Sequence, residues 1–159
     1  MPPPLIEPTT ILDLLTWYRT NLCAARLYDP RENRVRFLPN VFIHLIKLTN
    51  KYGEEPRNLR IAMEEIRRGA IQFDVGRYDV QRAKELSWAS LVATQPDFIC
   101  ENWQALGRGN EAFVKNFGIP DDSEFRVLIC VVRGKLREVV TLFPRKKIGE
   151  RELATKIWP

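Results

Sequence analysis

An α+β domain, with N-terminal helices packed on a C-terminal antiparallel β-sheet, is predicted by three observations. Apolar residues recur at helical spacing through most of the first 94 positions, strand-like runs replace them from Phe98 onward, and no linker, repeat or low-complexity tract divides the chain. With 159 residues, 45% hydrophobic and 10% aromatic, the chain suffices for one well-buried core and is short for two, so a single domain over 1–159 is expected.

A first helix is predicted from about Thr10 to Ala25, with Thr10 as N-cap, Asp13 in the first turn, and Ile11, Leu14, Leu15, Tyr18 and Leu22 as its core stripe. Leu27 to Asp29 and Arg34 to Leu38 flank the turn-rich Pro30-Arg31-Glu32-Asn33 and predict a small hairpin. Asn40 is expected to cap a second helix reaching about Tyr52. A third, Arg57 to Arg68, ends at Gly69, and a fourth runs from Asp79 through Leu86, Trp88 and Leu91 to about Thr94, where Pro96 stops it. Strands are predicted at Phe98 to Trp103 and Glu111 to Phe117, joined through a Gly107-Arg108-Gly109 turn. The tail, Ile148 to Pro159, suits a short closing helix that docks Ile157 and Trp158.

Residues 124–147, EFRVLICVVRGKLREVVTLFPRKK, read as one hairpin around Gly134-Lys135, because glycine at the first central position suits a type II′ turn. That register sets Arg133 against Leu136, Val132 against Arg137, Cys130 against Val139, Leu128 against Thr141 and Arg126 against Phe143. One face then gathers Arg126, Arg137 and Thr141 ahead of Pro144 and the basic triplet Arg145, Lys146 and Lys147. The other, with Val127, Ile129, Val131, Val140 and Leu142, is the better core surface. Basic groups and a hydroxyl on a rigid face suit a phosphate; the same pattern also describes ordinary solvent-facing arginines on a half-exposed sheet, and a one-residue slip would exchange the faces.

A net charge of +5 makes nucleic acid or another polyanion a plausible partner. Cys23, Cys100 and Cys130 are odd in number, far apart and outside any CxxC pair, which predicts a reducing, cytoplasmic setting with neither a disulfide framework nor a zinc site. The opening MPPPLIEPTT lacks a positive n-region and an apolar h-region, and no charge-free run approaches a spanning length, so a soluble, unprocessed chain without a membrane partner is expected.

The only histidine, His44, stands in VFIHLIKLTNKY. On a helix, Val41, Phe42, Ile43, Leu45, Ile46 and Leu48 cover most of the circumference, while Asn40, His44, Lys47 and Lys51 share one stripe. An imidazole exchanges a proton near neutral pH, and Lys47 one turn away attracts a phosphate. A surface histidine without catalytic duty is the plainer alternative. Adjacent pairs Asp121-Asp122 and Glu64-Glu65 do not converge on one ion, so no metal or other cofactor is expected. Neither GxxxxGK[ST], GxGxxG nor GxSxG occurs, and no triad assembles. Trp17, Trp88, Trp103 and Trp158 could stack bases, although aromatics on such stripes are usually core.

The segment FIHLIKL at 42–48, YDVQRAKELSW at 78–88, PDFICEN at 96–102, RVLICVV at 126–132 and VVRGKLREVVTLFP at 131–144 resemble the phage-associated branch of the barnase, EndoU, colicin and RelE-like nucleases, over roughly residues 26–147. The resemblance implies a metal-independent endoribonuclease of toxin, effector or mobile-element type, in which the 2′ hydroxyl of RNA attacks the adjacent phosphate. It further implies His44 and Lys47 as the helix residues of the site and Arg137 and Thr141 as the sheet residues that hold the phosphate. Arg126, Arg133, Arg145, Lys146, Lys147 and Lys51 would contact substrate, with RNA, tRNA among it, as the partner and an antitoxin or immunity protein as inhibitor. The second histidine used by EndoU-like members is absent, so an acid and base pair would need Lys47 or another group as the partner of His44. Two other classes stay open: a non-catalytic nucleic-acid-binding module and a protein-interaction domain of the same fold.

Overall fold

The protein is described by a computed structural model that covers residues 4–7, 9–71, 77–101, 109–118 and 127–159. The Thr10 hydroxyl accepts the Asp13 N–H at 3.0 Å and starts α1 (Ile11–Tyr18), as the sequence predicts. The expected continuation to Ala25 is replaced by a wider π-type turn over Arg19–Cys23, which keeps Leu22 on the buried stripe with Ile11, Leu14, Leu15 and Tyr18. The buried Tyr18 hydroxyl donates to the Leu38 carbonyl at 2.6 Å, tying this helix to the segment that leads into His44.

The small hairpin forms as β1 (Leu27–Tyr28) and β2 (Arg34–Val35), antiparallel. The predicted second helix does not extend from Asn40 to Tyr52. A 3-10 turn, Pro39–Val41, leads into α2 (Phe42–Leu45), which ends at Ile46; Lys47 then takes a left-handed φ of 52°. The physical reason lies in the run itself: Phe42, Ile43, Leu45, Ile46 and Leu48 are all buried, and a straight helix would turn some of them to water. Asn40 does not cap its own helix either, because its Oδ1 accepts the Leu59 N–H of α3 (Leu59–Arg67) at 3.2 Å. Asn58 caps α3, and Asp79 caps α4 (Val80–Glu85), each through its side-chain oxygen. A 3-10 turn at Leu86–Trp88 joins α4 to α5 (Ala89–Thr94).

The sheet comprises β3 (Phe98–Glu101), β4 (Asn110–Asn116), β5 (Val127–Arg133), β6 (Glu138–Arg145) and, after α6 (Glu150–Leu153), β7 (Lys156–Trp158). Its order is β6-β5-β4-β3-β7, with every neighbouring pair antiparallel. The tail therefore forms its short helix but ends as an edge strand against β3, with Trp158 opposite Ile99 and Ile157 exposed. Between the two edges the connection crosses the sheet: Ile148 packs against one face and the Glu152 carbonyl accepts from the Cys100 thiol at 3.2 Å.

The β5–β6 register corrects the expected one. Gly134 to Arg137 form a four-residue turn, with Arg133 opposite Glu138 and Val132 opposite Val139. The extra residue, Val140, makes a β-bulge, after which Val131 faces Thr141, Cys130 faces Leu142, Ile129 faces Phe143 and Val127 faces Arg145. The bulge moves Thr141 and Phe143 to the face opposite the one the hairpin reading gives them. Nor is either sheet face half-exposed. Leu128, Cys130, Val132, Val139 and Leu142 are buried in the cluster that includes α1, α2 and α5, while Val127, Ile129 and Val131 join Cys100, Ala112 and Val114 in a second one. Burial pushes the Cys130 thiol up to about 12, so it is an inert packing group near neutral pH.

Arg137 explains the longer turn. It also adopts a left-handed φ, 57°, and its guanidinium pairs with the fully buried carboxylate of Asp29 at 2.8 Å and with Glu111. Arg31 bridges the same two carboxylates at 2.7 and 2.6 Å, and both guanidinium carbons lie 5.7–5.8 Å from the centre of the Phe113 ring. The backbone follows: the Arg36 N–H donates to the Arg137 carbonyl and the Val139 N–H to the Arg36 carbonyl, so the β1–β2 hairpin is stitched to the start of β6.

Both carboxyls of this clamp lie below their ordinary values. Burial pushes each up, but hydrogen bonds outweigh it: for Asp29 from Arg31 and the Asn33 backbone, for Glu111 from Arg31 and Arg137. The unfolded chain thus binds more protons than the folded one between the two sets of values, so the stabilisation is complete above the unfolded values, from about pH 5 upward, and is lost as pH falls through the folded values. Denaturant titration of Arg137→Ala should show a loss on the order of 3 kcal/mol near neutral pH, shrinking in acid as the carboxylates protonate. A difference from wild type that stays constant into acid would overturn this account.

Candidate functional site

The sheet edge at β6 meets the segment Leu38–His44 in a cleft of about 470 Å³, lined by Leu38, Asn40, Val41, His44, Arg133, Glu138, Val139, Val140 and Thr141. Three features position its polar groups. The Pro39–Val41 turn and α2 present His44 outward, since Phe42, Ile43 and Leu45 take the buried directions. The Val140 bulge re-aims the edge strand and places Thr141, 9% exposed, at the wall of the cleft. Arg133 and Glu138 face each other across the last pair of the β5–β6 ladder and complete the polar rim.

Beneath those groups the wall is apolar, from Leu38, Val41, Val139 and Val140. No ion pair of the Arg133 guanidinium forms among the described residues, so this exposed cation is available to an anion entering the cleft.

His44 has a partner that its sequence neighbourhood does not announce. Its Nδ1 lies 3.2 Å from Glu55 Oε2. A carboxylate can only accept, so the contact is attractive when Nδ1 carries the hydrogen, which leaves Nε2 of the neutral ring with the lone pair. The loop that delivers Glu55 is closely bonded. Asn50 Oδ1 accepts the N–H groups of Tyr52 and Glu54 at 2.9 and 3.0 Å, Gly53 turns with φ 78°, and the Arg77 guanidinium donates to the Asn50 carbonyl at 2.9 Å. The only sequence signal for this return is the Gly53-Glu54-Glu55 turn after the apolar run. Glu138, hidden by the wrong hairpin register, is the other site residue that the sequence does not reveal.

Of the expected site residues, the structure brings His44, Thr141 and Arg133 together. It does not bring Arg137 there, because that guanidinium is held by Asp29 and Glu111. Lys47 follows His44 by one turn, its N–H donating to the His44 carbonyl at 3.2 Å, but it lies past the end of α2 with a left-handed φ and does not line the cleft, and Lys51 sits over the Tyr52 ring at 5.0 Å. Arg145 pairs with Glu152 at 2.9 Å, Lys146 and Lys147 are exposed just after it, and none of the three lines the cleft. Arg126 falls outside the described residues, as do Trp103, Gly107, Arg108 and Asp121-Asp122. Trp88 is buried and stacked on Phe117 at 4.3 Å, a packing role. Among the described residues no group of three or more His, Cys, Asp and Glu is placed to hold a metal ion, and no helix is long and apolar enough to cross a membrane.

Fold and site together define an α+β protein with an acid–base and cation-bearing cleft at the edge of a five-stranded antiparallel sheet. Compared with known protein families, curated proteins and solved structures, the chain finds no match.

The tautomer inferred for His44 is directly measurable. Long-range proton–nitrogen correlation spectra of the neutral ring should show hydrogen on Nδ1 in the wild type, and Glu55→Ala should shift the population toward hydrogen on Nε2. An unchanged tautomer ratio would mean that Glu55 does not orient the imidazole.

Proposed function

We propose that the protein is a metal-independent endoribonuclease of toxin or effector type that uses the cleft between α2 and β6. The observation that carries the proposal is the meeting of His44 and Thr141, ninety-odd residues apart in the chain, beside Arg133 and Glu138 in one cleft. RNA supplies its own nucleophile in the 2′ hydroxyl. A protein then needs one group to accept that proton, one to protonate the departing 5′ oxygen, and donors for the charge growing on the phosphate. His44 and Glu138 are the two proton-transfer groups of the cleft, which answers the lack of a second histidine. Arg133 and the Thr141 hydroxyl supply the phosphate contacts. Glu55 keeps the His44 ring oriented with Nε2 as its exchanging nitrogen. The resemblance to the barnase, EndoU, colicin and RelE-like nucleases supports the same reading, and an antitoxin or immunity partner follows from it.

A second reading, a nucleic-acid-binding module without cleavage, is favoured by one specific observation. Arg137 and Lys47, the other expected cations, lie outside the cleft, so charge stabilisation falls on Arg133 among the described residues. Such a module would bind RNA with steep salt dependence and leave it intact.

Incubation with total cellular RNA and with tRNA in EDTA, resolved on denaturing gels, tests the proposal. Wild type should cut, and His44→Ala and Glu138→Gln should each lose about a hundredfold or more in rate, the scale of general acid–base catalysis. Products should end in 2′,3′-cyclic phosphate. Intact RNA with folded wild-type protein would overturn the nuclease reading, and salt-sensitive binding without cleavage would support the second.

A further inference from the structure

Tyr52 is 74% exposed, the most exposed large apolar side chain among the described residues. Leaving an aromatic ring in water on a loop tip gains nothing for the fold, and its surroundings are not those of a loose surface residue. The backbone on both sides is fixed: Asn50 Oδ1 accepts the Tyr52 N–H, the Asn50 N–H donates to the Glu54 carbonyl, and the Gly53 N–H returns to the Asn50 carbonyl. Arg77 anchors the turn from outside through its contact with the Asn50 carbonyl, and its own carbonyl accepts the Thr49 N–H. A ring on such a turn loses little further freedom when a ligand lies on it, because the main chain beneath is already ordered.

Two more observations point to the ligand. The Lys51 ammonium sits over one face of the Tyr52 ring, 5.0 Å from its centre, so a cation stands against an aromatic ring that solvent still reaches. The same turn delivers Glu55 to His44, so Tyr52 is three residues from a direct contact with the cleft. Three residues span at most about 10 Å, a distance that a few nucleotides of a single strand cover. An aromatic platform with an adjacent ammonium is the combination that holds an unpaired base and its phosphate without reading sequence, whereas a base stacked inside a duplex has no free face to offer.

We infer that Tyr52 and Lys51 form a stacking platform for an unpaired base flanking the cleft, and that the polynucleotide taken by this protein is single-stranded. The inference rests on the proposed nuclease reading for the cleft as the place where the strand runs, and it adds the conformational class of the substrate. Tyr52 would set affinity and position, with no part in proton transfer; Lys51 would hold the neighbouring phosphate.

The test uses the full chain and a fluorescent single-stranded 2′-O-methyl oligoribonucleotide, which lacks the nucleophile and stays uncut, beside a duplex of the same sequence. Anisotropy titrations should show wild type preferring the single strand. Tyr52→Ala should weaken that affinity about tenfold, within the range that stacking contributes per base, whereas Tyr52→Trp should retain it and duplex binding should be unchanged. Thermal melts will show whether the variant folds, as a residue with a solvated side chain should. Equal affinity of wild type and Tyr52→Ala for the single strand, or equal loss for strand and duplex, overturns the platform. The outcomes separate it from the nuclease reading. His44-dependent RNA cleavage with no Tyr52 effect on affinity removes the platform alone; Tyr52-dependent binding by a protein that cuts no RNA removes the nuclease reading alone.

Discussion

The paired arginines and carboxylates at Asp29, Arg31, Glu111 and Arg137 are the constraint on which the remaining architecture depends. A carboxylate with no exposed side-chain surface, as at Asp29, is tolerable only when its charge is answered at hydrogen-bond distance. Here one answer comes from its own turn and the other from a turn more than a hundred residues later. The clamp therefore fixes where the small β1–β2 hairpin seats on the sheet. It also fixes the conformation of the β5–β6 turn, because Arg137 reaches Asp29 from a left-handed backbone. Phe113 lies under both guanidinium groups and excludes water from the side of the clamp that faces the core.

That turn in turn decides the edge strand. With four residues in the turn and Val140 bulged, Val139 and Leu142 both face the helices although three positions separate them, and Thr141 is turned to the cleft wall. The cleft is the space left where a short helix, forced to stop at Ile46 by its own excess of apolar residues, meets a bulged edge. Packing and site are thus linked through specific residues: Leu38 receives the Tyr18 hydroxyl and lines the cleft, and Val139 belongs to the core and to the cleft wall at once. Rigidity of this kind suits chemistry in which the protein positions a proton donor, an acceptor and a phosphate rather than forming a covalent bond to it.

The site's electrostatics are mixed rather than uniformly basic. Glu55 and Glu138 stand near His44 and Arg133, so the excess positive charge of the chain is not concentrated at the cleft. For the proposed nuclease, this arrangement fits proton transfer better than tight capture of a polyanion, and affinity for a strand would then rest on contacts around the cleft. The Lys51–Tyr52 pair on the turn that carries Glu55 is the contact proposed for that role, and its backbone is ordered by Asn50 and Arg77.

Local chemistry is enough to read the α+β class, the cap at Thr10, the starts of the third and fourth helices near Arg57 and Asp79, the β1–β2 hairpin and the strands β3 to β6, because each depends on side chains within a few residues of one another. His44, Thr141 and Arg133 were also nameable as candidates, since their chemistry is carried by residue type. The sequence could not decide the β5–β6 register, for Gly134-Lys135 is compatible with a two-residue turn and only the distant Asp29 and Glu111 draw Arg137 into a longer one. Nor could it show that the His44 helix stops after one turn, that Glu55 returns to the imidazole, or that Glu138 shares a cleft with it. Those are decisions of tertiary structure, made by which apolar faces must be covered and which buried charges must be met, and they link residues that no local pattern relates.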